Sequence, residues 1–313
     1  MALTGLLDIV GPAAAAGRGA GAFNVISVEH AEGIVAGAQA AGLPVILQIS
    51  ENCVRYHGGL AAIADATLAV ARAASVPVAV HLDHATDEDL VRDAAGLGFG
   101  SVMYDTSALP YEASVSATRA LSDWCHARQV AVEAELGEIG GKDGVHSPVT
   151  RTRPAEAARF AAATGVDALA VAVGSSHAML TRDAVIDLKL VADIRAVVPV
   201  PLVLHGSSGV PDQTLAAAVA AGLTKVNIGT QLNKVFTGAL RRALSAEPAM
   251  SDPRKYGAAG RDAVASEVTR LLRVLKMGHT SHDAIEETAG QREPAAKTGA
   301  RAGGTGEPIS PVE

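Results

Sequence analysis

Eight times along the chain, a short run rich in Val, Ile and Leu is followed by an Ala-rich segment of helical character. No other feature constrains the fold as much. The runs are Ala22–Val28, Pro44–Ile49, Pro77–Leu82, Gly100–Met103, Val130–Glu135, Ala168–Val173, Pro201–Leu204 and Lys225–Ile228. The helical segments between them include Glu29–Ala41, Leu60–Ala74, Asp87–Ala95, Tyr111–Arg128 and Pro154–Ala163. Strands alternating with helices pair in parallel through right-handed crossovers. Eight such units predict an α/β fold, a (β/α)8 TIM barrel. A doubly wound sheet is the competing architecture, disfavoured because no G-x-G-x-x-G follows the first run. Two extra C-terminal helices, Gln231–Ala246 and Pro253–Lys276, are predicted to follow the barrel. Residues 1–280 thus read as a single catalytic domain. Residues 281–313, rich in Gly, Pro, Thr and charge, read as a disordered tail with too little apolar surface to offset ordering entropy.

Composition narrows the class of function. Hydrophobic residues make up 49% of the 313, enough for a substantial core. No apolar run reaches the ~18 residues of a membrane span, so no membrane partner is expected. The Ala- and Gly-rich start has no basic region ahead of its apolar part and is interrupted by Asp8, unlike a secretory signal. A net charge of −7 speaks against a nucleic-acid partner. Cys53 and Cys125 stand alone, so neither a disulfide framework nor a thiolate metal site is indicated. A cytoplasmic globular protein is expected.

Alternation along the strands separates two faces. Val78, Val80 and Leu82 should pack on helices, leaving Ala79, His81 and Asp83 to face inward with His84 at the strand's edge. Ala131, Glu133 and Glu135 form the corresponding face of the fifth run, and Ile46, Gln48 and Ser50 that of the second. Asn24 and Asn227 also lie opposite bulky apolar neighbours. Burying unpaired polar groups costs about 1–3 kcal/mol each, and barrel enzymes carry catalytic residues at the C-terminal ends of strands. The pattern points to an active site there.

Three of the ten histidines directly follow strands: His84, His177 and His205. Three imidazoles with an open position describe a catalytic Zn2+ site; hydrogen bonding of each to a neighbouring loop is the plain alternative. Asp83 could ligate the metal, orient a ligand or exchange protons with a substrate hydroxyl. Glu133 and Glu135 share that ambiguity, with an ion pair favoured for Glu133. Gly206, Ser207, Ser208 and Gly209 follow the seventh strand, and Asn227 to Thr230 open a helix after the eighth. Small residues at helix N-termini on these two loops suit a phosphate.

Together the stretches AFNV, PVILQIS, VHLDHA, VEAELGEIGG, LAVAVGSSHA, LVLHGSSGVP, KVNIGTQLN and DPRKY resemble the class II, metal-dependent ketose-bisphosphate aldolases, a family that includes fructose- and tagatose-1,6-bisphosphate aldolases. The resemblance implies that His84, His177 and His205 hold zinc or another divalent transition metal, with Glu135 able to take the metal in an alternative position. Asp83 would exchange a proton with the substrate's C4 hydroxyl. Asn24, Ser50, Ala178, Gly206, Ser208, Asn227 and Thr230 would contact substrate or phosphate, with a monovalent cation possible nearby. Arg254 would reach a phosphate across a subunit interface, implying a homodimer or homotetramer acting on a phosphorylated sugar. Three positions depart from the family pattern. Asp143 stands where a loop glutamate usually serves as second acid, Ala178 replaces a glycine, and Gly229 stands where fructose-specific members often have aspartate. Two rival readings remain: a metal-dependent hydrolase on the same barrel, and a sugar-phosphate-binding barrel with impaired turnover.

Overall fold

The computed structural model describes residues 2–136, 151–176 and 181–277. The chain opens with helix α1 (Leu7–Ala15) and then alternates β1 (Ala20–Asn24), α2 (Val28–Ala41), β2 (Val45–Ser50), α3 (Glu51–His57), α4 (Ala61–Ala73), β3 (Val78–Ala85), α5 (Glu88–Leu97), β4 (Ser101–Tyr104) and α6 (Tyr111–His126). It continues through β5 (Ala131–Leu136), α7 (Pro154–Thr164), β6 (Ala168–Val171), α8 (Leu188–Val197), β7 (Leu202–Leu204), α9 (Asp212–Ala220) and β8 (Leu223–Ile228), and ends with α10 (Thr230–Ala246) and α11 (Pro253–Lys276). The strands pair in sequence order and β8 returns to β1, closing a parallel barrel. This is the (β/α)8 architecture that the repeated cycle predicts.

The faces divide as alternation requires. Val45, Leu47, Ile49, Val78, Val80, Leu82 and Val132 join the shell between barrel and helices. Inside, Ala20, Ala22, Ile46, Ala79 and Ala131 pack against Leu6, Ile9, Val10 and Ala13 of the N-terminal segment. Helix α1 therefore plugs the bottom of the barrel, and the chain before it is tied to β3 by Thr4 N donating to Val78 O at 2.9 Å. The upper interior is polar: Gln48, His81, Asp83, Glu133, Glu135, Lys225 and Asn227 are all buried.

Some boundaries differ from expectation. The first run begins as a strand at Ala20 and stops at Asn24, because Ser27 already serves as the N-cap of α2. The sixth strand ends at Val171, not Val173. Helices α1 and α3 were not anticipated. The strands β3 and β4 lose register between Leu82 and Ala85, and His84 takes φ = 51°. A bulge with a left-handed residue breaks the alternation of the strand. It lets the successive residues Asp83 and His84 both bring ligand atoms into one cluster. No described helix is long and apolar enough to cross a membrane.

Candidate metal centre and active-site cleft

The C-terminal end of the barrel holds a cleft of about 850 Å3, walled by residues from the ends of β1, β2, β3, β4, β7 and β8 and their following loops. At its base His84 Nε2 and His205 Nδ1 face each other at 2.9 Å. The other nitrogen of each ring meets a carboxylate. His84 Nδ1 lies 3.2 Å from Asp105 Oδ2, and His205 Nε2 lies 2.9 Å from Glu133 Oε1. In the tautomers that donate the far N–H groups to these carboxylates, the near nitrogens both present lone pairs. A cation between them relieves that repulsion, and carboxylate-backed imidazoles are the usual arrangement of metal ligands.

Carboxylates complete two overlapping donor sets. Asp83, His84 and His205 form one, and His84, Asp105 and Glu135 the other, with ligand atoms in each set within 4.8 Å of one another. Glu135 Oε2 is 3.5 Å from His205 Nδ1, so the two sets are adjacent. These nitrogen and oxygen donors fit a divalent transition metal. His177, Ala178 and Asp143 lie outside the described residues.

Asp83 is buried and surrounded by amides. Asn227 Nδ2 donates to its Oδ1 at 3.2 Å; Gln48 Nε2 and Asn24 Nδ2 donate to its Oδ2 at 3.3 and 3.4 Å. Gln48 also donates to Asn24 Oδ1 at 2.9 Å, which locks the pair. These contacts hold Asp83 facing the cleft, beside the imidazoles.

On the opposite wall the chain leaves β7 through Gly206 in the left-handed region (φ = 65°) and turns through Ser207, Ser208 and Gly209. Ser207 Oγ donates to Asn227 O, and Gln231 N donates to Ser208 Oγ at 3.3 Å. The first turn of α10 and this serine loop thereby form one surface of small residues and backbone amides, suited to an anion. At Gly229 a Cβ would sit 2.8 Å from Asn24 Oδ1, so a side chain there would press on the amide that Gln48 holds.

Of the residues expected to contact substrate, Asn24, Ser50, Gly206, Ser208, Asn227 and Thr230 line this cleft. Ser50 also accepts the Cys53 amide at 3.3 Å as the N-cap of α3. Arg254 does not line it. That side chain is 89% exposed at the start of α11 and pairs with Asp252 at 2.8 Å. Glu133 is an ion-pair residue, 2.8 Å from Lys225 Nζ. Sequence reasoning assigned no role to Asp105, which follows β4 directly, nor to Arg55, the only Lys or Arg among the described residues of the cleft wall.

Comparison with known proteins agrees with this geometry. Residues 4–280 match the family model described as class II fructose-bisphosphate aldolase. The chain belongs to the class II fructose-bisphosphate aldolase family. It is 35% identical to a fructose-bisphosphate aldolase of Geobacillus stearothermophilus, the match covering 87% of this chain and 96% of that one. It is also 35% identical to a fructose-bisphosphate aldolase of Giardia intestinalis, covering 90% and 95%. The crystal structure of the YdjI aldolase from Escherichia coli superposes with a TM-score of 0.78 at 28% identity, covering 89% of this chain and 99% of that one. The chain is an aldolase, a carbon–carbon lyase of a metal-dependent family whose substrates are phosphorylated sugars.

Proposed function

We propose that the enzyme cleaves a ketose 1,6-bisphosphate of the fructose or tagatose type to dihydroxyacetone phosphate and an aldehyde, with zinc as its metal. The observation that carries this reading is the pair of carboxylate-backed imidazoles 2.9 Å apart, beside the buried Asp83 and across the cleft from the serine loop.

His84 and His205 would hold the metal together with His177, and Asp105 and Glu135 support an alternative position for it. A divalent cation held there supplies a Lewis acid for the negative charge that develops on the ketone fragment. Asp83 accepts the proton of the C4 hydroxyl as the C3–C4 bond breaks, and the bonding electrons stay on C3. The three amides around Asp83 keep its carboxylate turned toward that hydroxyl. Asp143, by its register in the sequence, returns a proton to C3. Ser208, Gly206 and the start of α10 hold the phosphate of the ketone fragment. Ser50 and Arg55, on the cleft wall, would meet the far end of the sugar. Arg254 stands apart from its own cleft, so a phosphate contact from it would require a second copy of the chain.

A coupled triose-phosphate assay with fructose- and tagatose-1,6-bisphosphate tests this reading. Activity on one of them should vanish with a strong chelator and return with Zn2+. Full activity after exhaustive chelation would overturn the metal mechanism. A reading as a hydrolase predicts free phosphate or a hydrolysed product instead of a triose phosphate.

A further inference from the structure

Beneath the floor of the cleft lies Lys225, whose side chain is wholly buried. An ammonium in such a place is tolerated only when it is paired and hydrogen-bonded. Its Nζ has two partners, Glu133 Oε2 and Asn227 Oδ1, each at 2.8 Å. Glu133 uses its other oxygen to hold His205 Nε2 at 2.9 Å, while the amide nitrogen of Asn227 donates to Asp83 Oδ1 at 3.2 Å and also lies 3.2 Å from His205 Nε2.

The chemistry of the lysine dictates the direction of both contacts. An ammonium has donors only, so it takes the carbonyl end of Asn227 and leaves the amide nitrogen pointing at Asp83. A flipped amide would set NH2 against NH3+ and oxygen against carboxylate. His81 stands farther from Glu133, its Nε2 3.8 Å from Glu133 Oε2, and its Nδ1 is engaged with Ser101 Oγ at 2.9 Å.

We propose that Lys225 is a positioning residue for the aldol reaction: one buried cation grips Asn227 and Glu133 and so holds Asp83 and His205 in a fixed relation. The inference rests on the roles proposed above for Asp83 and His205. The simpler possibility is that Lys225 only neutralises Glu133.

Lys225→Met, Glu133→Gln and the double variant separate the two. The double variant removes both charges together and leaves no unpaired ion, so it folds even where Lys225→Met does not. Thermal unfolding checks each protein first; Lys225→Leu, which likewise lacks a donor, replaces a methionine variant that is unfolded. Zinc affinity, measured by competition with a chromophoric chelator, should fall about 10–100-fold in Glu133→Gln and in the double variant, because His205 loses its support. At saturating zinc, kcat of the double variant should be at least about tenfold below that of Glu133→Gln, with KM within about threefold, because Asp83 loses the oriented amide. Equal kcat in those two proteins overturns the proposal and leaves Lys225 a counter-charge. Asp83→Asn, assayed beside them, tests the underlying reading: full activity there removes Asp83 from catalysis whatever the Lys225 variants show.

Discussion

Asp83 and His84 are neighbours in the sequence, and in an unbroken strand they would point to opposite sides of the barrel wall. The bulge in β3 and the left-handed backbone of His84 bring both into the same donor cluster. A non-glycine residue in that region costs about 1–2 kcal/mol, so the surrounding contacts, Asp105 on the His84 ring and three amides around Asp83, must hold it there. Asp83→Asn keeps the shape but removes the carboxylate proposed as the base. We expect kcat to fall by roughly 10²–10⁴, with close to wild-type metal content by metal analysis. A loss of metal in parallel with activity would show instead that Asp83 serves as a ligand. His84 and His205 were legible in the sequence because each stands directly after an apolar run, and alternation placed Asp83 and the glutamates of β5 inside. The bulge was not legible, since it arises from a register shift between β3 and β4. Lys225 was hidden for a related reason: a charged residue at the start of an apolar run reads as the edge of a strand, and only closure of the barrel shows that it lies fully buried.

Helices α2 and α11 lie against each other because two glycines allow it. A Cβ on Gly33 would stand 2.7 Å from Arg261 O, and one on Gly37 2.5 Å from Ala265 O. Thr269 Oγ1 uses the same closeness to donate to Gly37 O at 3.0 Å. Gly37→Ala would gain helix propensity, worth up to about 1 kcal/mol, but its methyl group meets backbone that cannot swing aside. Overpacking of that kind costs about 1–3 kcal/mol, so the net effect should be a lower urea midpoint. The kcat of the metal-loaded enzyme should change little, because the contact lies outside the barrel wall. A variant as stable as wild type would mean that α11 can move away freely. Helix α11 itself was legible from Pro253 to Lys276, with Asp252 as its N-cap and Pro253 opening its first turn. Helix α1 was not. Its sequence is rich in small residues and shows no strong apolar stripe, and its burial comes from plugging the barrel, which no local pattern encodes.

Across the whole molecule, polar groups are buried at two levels, the cleft end of the barrel and the helical layer outside it, and both include histidines held neutral. His30 shows the effect away from the metal centre. It stacks on Phe236 with ring centroids 4.5 Å apart, and its Nδ1 lies 3.2 Å from Ser27 Oγ. The serine hydroxyl donates to Glu29 Oε2 at 2.6 Å, so it presents a lone pair to Nδ1 and fixes the proton there. The buried Nε2 has no hydrogen-bond partner among the described residues, and burial lowers the imidazole's affinity for a second proton, an effect that nearby Glu29 only partly offsets. Above the usual histidine value of 6.5, His30 is neutral both folded and unfolded and does not affect the balance. Below it the unfolded chain binds the proton first, so stability falls as pH falls, by at most about 1.4 kcal/mol per pH unit for each such histidine. Asp212 and Glu267 act in a lower window. Arg182 and Arg270 on Asp212, and Arg270 on Glu267, outweigh burial and hold both carboxyls below the usual range, so the stability they add is lost as pH falls from that range to the depressed values. Urea unfolding in excess chelator at pH 7.5, 6.5 and 5.5 should therefore show a decline below 6.5 that is shallower in His30→Leu than in wild type. Parallel slopes in the two proteins would clear His30 and place the acid sensitivity with the histidines inside the barrel.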